Sequence, residues 1–453
     1  MRDLLMVGFL LVATYFTFRR PYVGVAAWIW IALIAPANWA WGFSQSFRLN
    51  LSIVLITFLS YLFVMKRKSL PMTAITVWVM LFGFWTLVST TFNIRSNSME
   101  LQSDLEEFIK VVMLFFFMIL IFRKRLHVDT LIWAIVLALS SYAAMEAVKF
   151  ILSGGSYRIV GRAGRLEDRN DLAVAINMCM PFIIYLIHVT RHKWLRMGLW
   201  GLLMLNIVSI VGTYSRGGFI GLCVLGIAFW FKSNHKLALT LLVILALPVL
   251  YQNAPEDWKA RQSSVTTAVD RDSSFIGRLW AWKISTMIAL DNPVTGGGFR
   301  SVTDRSIWNY YAPRTPEFGP VYTSPIPPGL RPKAAHNIYF QVLGDHGFVG
   351  LFFFGMMLLT ALRNTIKNAK LGKQYGVEWF HHLSNALTLS LVGYGITGLN
   401  VSLAYFDLLY AIVGTVAVMT MLRRSFLPVP DKESSKSEIR QLRSNTGLAS
   451  EWR

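Results

Sequence analysis

Long apolar stretches separated by short polar segments dominate this chain. A helix that crosses a bilayer needs about 20 apolar residues, and most of these stretches approach or exceed that length. The pattern therefore predicts an all-α polytopic membrane protein with about 12 transmembrane helices. The apolar runs lie near 4–18, 22–43, 50–65, 73–92, 108–122, 128–152, 171–189, 197–214, 217–231, 237–251, 337–362, 382–400 and 404–422.

The N-terminal runs are the least certain spans. Runs 4–18 and 22–35 are short, so they predict either two thin helices or a re-entrant pair. The first run has roughly the length of a signal peptide, but no small-x-small cleavage site follows it. We therefore expect it to be a retained membrane segment.

Short basic clusters separate many of the runs and indicate which loops are cytoplasmic. The loops between them then face the opposite side, and the longest of these external loops is 252–336. We expect one transmembrane domain, 1–425, which includes this loop, and a disordered cytoplasmic tail, 426–453. The basic clusters used are Lys66 to Lys68, Arg123 to Arg125, Arg191 to Lys193, Lys232 to Lys236, Arg363 to Lys373 and Arg423–Arg424.

Composition agrees with this topology. The 453 residues are 54% hydrophobic and only 15% charged, which is not the composition of a soluble globular protein. The net charge of +20 would suggest nucleic acid in a soluble protein. Here most basic residues are topology signals, so we expect membrane lipids and no nucleic acid as partners. Cys179 and Cys223 lie inside apolar runs and form no disulfide or CxxC pattern.

One segment of the long loop predicts an interfacial helix near 273–291. Asp272 or Ser273 can cap its start, and Asn292–Pro293 ends it. Apolar residues at helical spacing give it one buried side. These residues are Ile276, Trp280, Ile284, Met287 and Ile288.

The external loops are rich in arginine, although the positive-inside rule predicts few cations there. The forked, permanently charged guanidinium suits phosphate and carboxylate oxygens, so these loops indicate a strongly anionic ligand. The alternative is unspecific pairing with lipid headgroups. The external arginines are Arg158, Arg162, Arg165, Arg169, Arg216, Arg261, Arg271, Arg278, Arg300, Arg305, Arg314 and Arg331.

His336 follows a proline-rich loop, and we expect it in the first turn of the next apolar helix. The helix dipole and nearby Arg331 and Lys333 would keep its imidazole neutral and able to accept a proton. The alternative is a histidine that only caps the helix or contacts headgroups.

Other polar positions give weaker evidence for a functional site. The segment VTGGGFR, 294–300, predicts either a close backbone approach to a ligand or a flexible turn. Glu146 and Lys149 are spaced to pair on one helix. Asp407 lies in an apolar run, where ionisable residues are candidates for function. The chain contains no HExxH or GxSxG pattern, and we predict no metal site.

Three short motifs carry a resemblance to a known family. They are DRNDLAVAINMCMP at 168–181, SRGGFIGL at 215–222 and AHNIYFQVLGDHGFVGL at 335–351. In this order and spacing they resemble the O-antigen ligase family over residues 155–420. The family includes lipopolysaccharide O-antigen ligases, O-antigen polymerases and bacterial protein O-oligosaccharyltransferases.

The resemblance implies a GT-C-like membrane glycosyltransferase without a cofactor. It implies that a glycan is transferred from undecaprenyl pyrophosphate to a hydroxyl of lipid A–core, without metal and with inversion. The site would face the periplasm from the bacterial inner membrane.

The resemblance also implies roles for individual residues. His336 matches the family histidine and would be the general base, whereas Arg216 and Arg278 would hold the pyrophosphate. His346 has no counterpart in the family pattern, which needs only Gly347. Weaker candidates for the pyrophosphate are Arg162, Arg165, Arg169 and Arg300, and supporting residues are Asn170, Asn337 and Asp407.

Two alternatives remain open. A polymerase or a protein O-oligosaccharyltransferase would use the same donor with a different acceptor, and acceptor contacts have no local sequence code. A transporter of lipid-linked glycans would also need cations, but it would spread them through a central cavity. In this chain the external charges gather at one face.

Overall fold

All the regular secondary structure in the described residues is helical. The computed structural model describes residues 2–39, 42, 48–65, 70–95, 98–162, 164–232, 236–237, 240 and 273–427. Within these residues no β-strand occurs, which confirms the predicted all-α class. Most of the predicted run 237–251, the tail from 428 onward, Arg261 and Arg271 lie outside the described residues.

The α-helices are numbered in chain order among the described residues. They are α1 (Arg2–Arg19), α2 (Pro21–Ile34), α3 (Leu49–Val64), α4 (Ala74–Thr91), α5 (Ser98–Ile121), α6 (Arg125–Leu152), α7 (Arg169–Val189), α8 (Lys193–Gly212), α9 (Arg216–Lys232), α10 (Ser273–Asp291), α11 (Arg305–Tyr311), α12 (Ile338–Gln374), α13 (Glu378–Thr397) and α14 (Asp407–Phe426).

Several of these helices suit a membrane by length and apolar composition. In the part of the chain that the structure describes, α4, α6, α7, α8 and α12 are long and apolar enough to cross a bilayer. Shorter apolar helices are α2, α3, α9 and most of α1. The chain is therefore a helical membrane protein, as predicted, while the number of about 12 spans stays a prediction.

Helix α7 forms the centre of the bundle and packs against α6, α8, α9 and α13. It is buried along nearly its whole length, so even its polar side chains need partners inside the protein. The Asn177 Nδ2 group donates to the carbonyl oxygens of Ala173 and Gly218, each at 2.9 Å. The second of these bonds ties α7 to the start of α9.

Helix α10 coincides with the helix predicted in the long loop. It ends at Asp291, immediately before Asn292–Pro293. Its predicted apolar side packs against α11 in a second hydrophobic core, where Trp280 and Ile284 contact the group containing Trp308. A buried cation completes this layer, because Lys283 Nζ donates to the Thr315 carbonyl at 2.7 Å. This layer and the contact with α12 together fix the position of α10.

Helix α12 is interrupted at Gly347, which has φ of 67° and ψ of −169°. The interruption is covered by the segment after α10. Gly297 N–H donates to the Gly344 carbonyl and Gly298 N–H to the Asp345 carbonyl, both at 2.9 Å. The glycines of VTGGGFR therefore approach a protein backbone closely and satisfy its carbonyl oxygens, and they do not form a flexible turn.

Asp345 and His346 flank this interruption and are buried. Asp345 Oδ1 accepts from Ser301 N–H at 3.2 Å, and its Oδ2 accepts from Tyr405 O–H at 3.0 Å. His346 Nδ1 is hydrogen-bonded to Ser89 Oγ at 2.6 Å. Both side chains thus have internal partners that join α12 to other segments.

The predicted pair of Glu146 and Lys149 is confirmed at the end of α6. Lys149 Nζ lies 2.6 Å from Glu146 Oε1. The same carboxylate accepts from Tyr157 O–H through Oε2, also at 2.6 Å. The pair therefore also holds the loop that follows α6.

Gly296 lies against the backbone of α12, so we expect a single added methyl group at this position to destabilise the protein. In Gly296→Ala the new Cβ would lie 2.5 Å from Gly347 N, and the residue has φ of 65°. We expect a loss of about 2 kcal/mol or more in the free energy of unfolding. Thermal unfolding of the detergent-purified protein measures this loss.

Gly355→Ala is the matched control for this substitution. It lies on α12 beyond the interruption, and a Cβ there would meet no atom within 4 Å. Its unfolding midpoint should stay close to that of the wild type. Equal midpoints for the two variants would contradict the packing described at Gly296.

Candidate active site

His336 lies two residues before α12. The helix begins at Ile338, and Asn337 caps it by accepting from Tyr339 N–H at 2.9 Å and Phe340 N–H at 3.3 Å. The prediction that His336 occupies the first turn was therefore wrong. Asparagine is among the best N-caps because its side-chain oxygen pairs with the first free amides, so the helix starts after Asn337.

The imidazole of His336 is mostly buried and is available for chemistry. Neither ring nitrogen has a hydrogen-bond partner among the described residues, and Nδ1 is fully buried. Burial lowers the pKa of His336, and the cations Arg278 and Lys333 lower it further, whereas Asp168 acts in the opposite direction. The predicted neutral state is thus supported, with burial as its main cause in place of the helix dipole.

Arg278 lies on α10 and reaches the turn between α13 and α14. Its Nη1 donates to Asn400 Oδ1 at 2.9 Å. The same asparagine packs against Gly217, where a Cβ would lie 2.9 Å from Asn400 Cβ. Asn400 therefore joins Arg278 to the turn that carries Arg216.

The turn before α9 explains the SRGG motif. Ser215 Oγ donates to Asn170 Oδ1 at 2.7 Å and accepts from Gly218 N–H at 3.1 Å. A Cβ on Gly218 would lie 2.5 Å from Ala173 Cβ, so α7 and α9 pack too closely for a side chain there. Tyr214 precedes the motif with φ of 55°. The motif thus fixes Arg216 at the first position of α9.

The structure brings four predicted residues into one region: His336, Arg278, Arg216 and Asn170. They come from different helices and loops, and they are linked through Asn400 and Ser215. Asn337 caps the adjoining helix. The SRGG motif, the loop helix and the histidine motif therefore meet at one end of the bundle.

Among the weaker arginine candidates, Arg162, Arg165 and Arg300 have contacts of their own, whereas Arg169 stands between Asp168 and Asn170. Arg165 pairs with Glu107 at 2.7 Å, and its charge also acts on Asp407 at the start of α14. Arg300 Nε lies 3.2 Å from Asp104 Oδ1. Their predicted roles at the pyrophosphate, and that of Asp407 as a support, remain predictions. The two further candidates are Arg162, whose guanidinium lies 4.7 Å from the centroid of the Trp39 ring, and Arg169, whose Nη1 is buried without a hydrogen-bond partner in the described residues.

Sequence reasoning missed Asn400, Ser402, Asp168 and Trp282. Ser402 Oγ accepts from His336 N–H at 3.0 Å, and Trp282 Nε1–H donates to the carbonyl of Ala335 at 2.6 Å. Asn400 and Ser402 lie in the short turn between α13 and α14, and no local pattern marks either residue. Their position opposite His336 depends on contacts between distant parts of the chain.

The fold and this site define a multi-pass helical membrane protein with a histidine and arginines where several helices end. Residues 199–355 match the O-antigen ligase family, and residues 1–191 match a family of unknown function, DUF5935. A comparison with curated proteins finds no match. Residues 199–355 therefore form a domain of the O-antigen ligase family, as the sequence resemblance predicted. That region contains Arg216, Arg278 and His336.

The electrostatics of His336 predict two opposite effects of charge substitutions. Lys333→Ala removes a cation and should raise the pKa of His336, whereas Asp168→Asn removes an anion and should lower it. Asparagine can still cap α7 in place of Asp168. In the wild type the pKa should lie below 6.5, the ordinary value.

The rate at which diethyl pyrocarbonate modifies His336, followed by mass spectrometry as a function of pH, measures this pKa. Lys367→Ala is a control, since Lys367 is an exposed lysine on α12 that is not among the charges acting on His336. A pKa above 6.5 in the wild type, or shifts of the same sign in both variants, would contradict this account of the site.

Proposed function

We propose that this protein is an O-antigen ligase. It transfers an O-antigen glycan from undecaprenyl pyrophosphate to a sugar hydroxyl of lipid A–core. The observation that carries the proposal is the position of His336, a mostly buried histidine whose pKa is lowered by burial, beside Arg278 and the SRGG turn. The family match over residues 199–355 supports the same class of reaction.

In the proposed reaction His336 takes the proton of the acceptor hydroxyl. The hydroxyl oxygen attacks the anomeric carbon of the donor sugar and forms the new glycosidic bond. The bond between that carbon and the pyrophosphate oxygen breaks, and undecaprenyl pyrophosphate leaves with the electron pair. A single displacement of this kind inverts the configuration at the anomeric carbon.

Cations would stabilise the leaving group. Negative charge grows on the pyrophosphate as the bond breaks, and a guanidinium held in place nearby stabilises that charge. Arg278 is held by Asn400, and Arg216 is fixed at the start of α9, so neither needs a large rearrangement. The proposed mechanism gives these arginines the role that a metal ion has in many pyrophosphate-releasing enzymes.

The membrane arrangement is part of the proposal. We infer a GT-C-like domain of about 12 transmembrane helices in the bacterial inner membrane, with the site on the periplasmic side. The donor's lipid tail would lie between helices, and its pyrophosphate would meet the arginines at the membrane edge. The lipid A–core acceptor would approach from the periplasmic leaflet.

Substitution of the proposed base tests the function directly. Purified protein is incubated with an undecaprenyl-pyrophosphate-linked glycan and rough lipopolysaccharide in the presence of EDTA. The wild type should shift the lipopolysaccharide on a gel, and His336→Ala should lower the rate by about 10²–10⁴-fold. His192→Ala, at an exposed histidine before α8, is the control and should keep wild-type activity.

Other outcomes would redirect the assignment. Longer glycan chains without a lipopolysaccharide product would indicate a polymerase. Glycan transferred only to an added pilin-like protein would indicate a protein O-oligosaccharyltransferase. Full activity of His336→Ala would show that another residue is the base.

A further inference from the structure

We propose that Trp282 and Ser402 are positioning residues that together hold the peptide group between Ala335 and His336. This inference rests on the proposed role of His336 as the base. Trp282 Nε1–H donates to the Ala335 carbonyl at 2.6 Å, and Ser402 Oγ accepts from the His336 N–H at 3.0 Å. Neither residue carries a motif of its own in the sequence.

The backbone of His336 needs such support. Its φ is 42°, which lies in the left-handed region that residues with a Cβ rarely adopt. A residue keeps this conformation only where its surroundings determine it. The conformation decides the direction in which the imidazole leaves the backbone, so it also decides where the proposed base lies.

The two hydrogen bonds act on one rigid unit. The Ala335 carbonyl and the His336 N–H belong to the same planar peptide group and point in nearly opposite directions. Trp282 holds one edge of this group from α10, and Ser402 holds the other from the turn after α13. Because the group is bound at both edges, it cannot rotate about the chain direction without breaking a bond.

Trp282 also fixes the group relative to Arg278. Its ring stacks on Phe340 in the first turn of α12, with centroids 5.3 Å apart and planes 6° from parallel. Trp282 lies four residues after Arg278 on α10, which places both side chains on one face of the helix. The same rigid helix therefore carries one of the proposed pyrophosphate ligands and the group that holds the proposed base.

The turn on the opposite side has a similar double role. Asn400 accepts from Arg278 Nη1, and Ser402 accepts from the His336 backbone two residues later. The turn itself is attached to α12, because Ala404 N–H donates to Gln341 Oε1 at 3.1 Å. Arg278 and His336 are thus both hydrogen-bonded to the same short segment.

The test compares variants that remove one hydrogen bond each. Trp282→Phe keeps an aromatic ring for stacking on Phe340 but loses the N–H donor, and Ser402→Ala loses the acceptor. Ser402→Thr keeps a hydroxyl and should restore function. Trp280→Phe is the matched control, because Trp280 Nε1–H donates at 2.9 Å to Ser324, a residue away from the His336 peptide.

Two measurements are made on each detergent-purified variant. The first is the steady-state kinetics of glycan transfer, in which Trp282→Phe and Ser402→Ala should lower kcat about five- to tenfold with an unchanged KM for the donor. The second is the rate of modification of His336 by diethyl pyrocarbonate at neutral pH. That rate should rise severalfold in the same two variants, because the imidazole is then free to leave its buried position.

We expect Trp280→Phe and Ser402→Thr to keep the wild-type kcat and the wild-type rate of His336 modification. Equal effects of Trp280→Phe and Trp282→Phe would overturn the inference, since the loss would then reflect α10 in general. Unchanged modification rates in Trp282→Phe and Ser402→Ala would also overturn it. The modification rates need no turnover, so they decide the inference even if the wild type transfers no glycan, a result that would contradict only the proposed function.

Discussion

The interruption of α12 at Gly347 is the constraint on which the site depends. An interrupted helix leaves backbone groups without partners, and a membrane supplies no water to satisfy them. Here the segment after α10 supplies the partners: Gly297 and Gly298 donate to carbonyl oxygens of α12, and Phe348 N–H donates to the Pro293 carbonyl at 2.9 Å. The segment at the end of α10 is thereby fixed against the interruption in α12. Helix α10 carries Arg278, and α12 begins just after His336. The contact at the interruption therefore fixes the position of Arg278 relative to His336.

The part of α12 before the interruption serves as a short rigid connection to the site. It is attached to the turn after α13 at successive helical turns, through Gln341 and then through Asp345, which accepts from Tyr405. This explains why a carboxyl group and a histidine stand inside an apolar helix. Asp345 joins three chain segments and His346 binds Ser89, so both hold the helix that starts beside His336. A buried polar group with all its partners inside the protein favours one arrangement over others.

Local pattern predicted most of the apolar helices, the bounds of α10, the buried side of that helix and the pair of Glu146 and Lys149. These features depend on residues close in sequence, where helical spacing is informative. The partner of Arg278 is 122 residues away, and no local signal indicates Asn400. The glycines of VTGGGFR were equally ambiguous, because a glycine needed for contact with another helix looks the same as one in a flexible turn. The sequence predicted a neutral His336, but burial, the main cause of its lowered pKa, is a tertiary property.

The external arginines differ in the groups on which their charges act. A buried cation is costly unless it is paired, and Arg95, a further arginine just before α5, is almost fully buried with Glu100 and Asp104 as partners. Arg300 shares Asp104 with it, and Arg165 pairs with Glu107. These acidic residues all lie on α5, so that helix neutralises part of the external positive charge. The charge of Arg278, in contrast, lowers the pKa of His336. The number of external arginines therefore overstates the capacity of these loops to bind anions, because Arg165 and Arg300 already pair with carboxylates of α5.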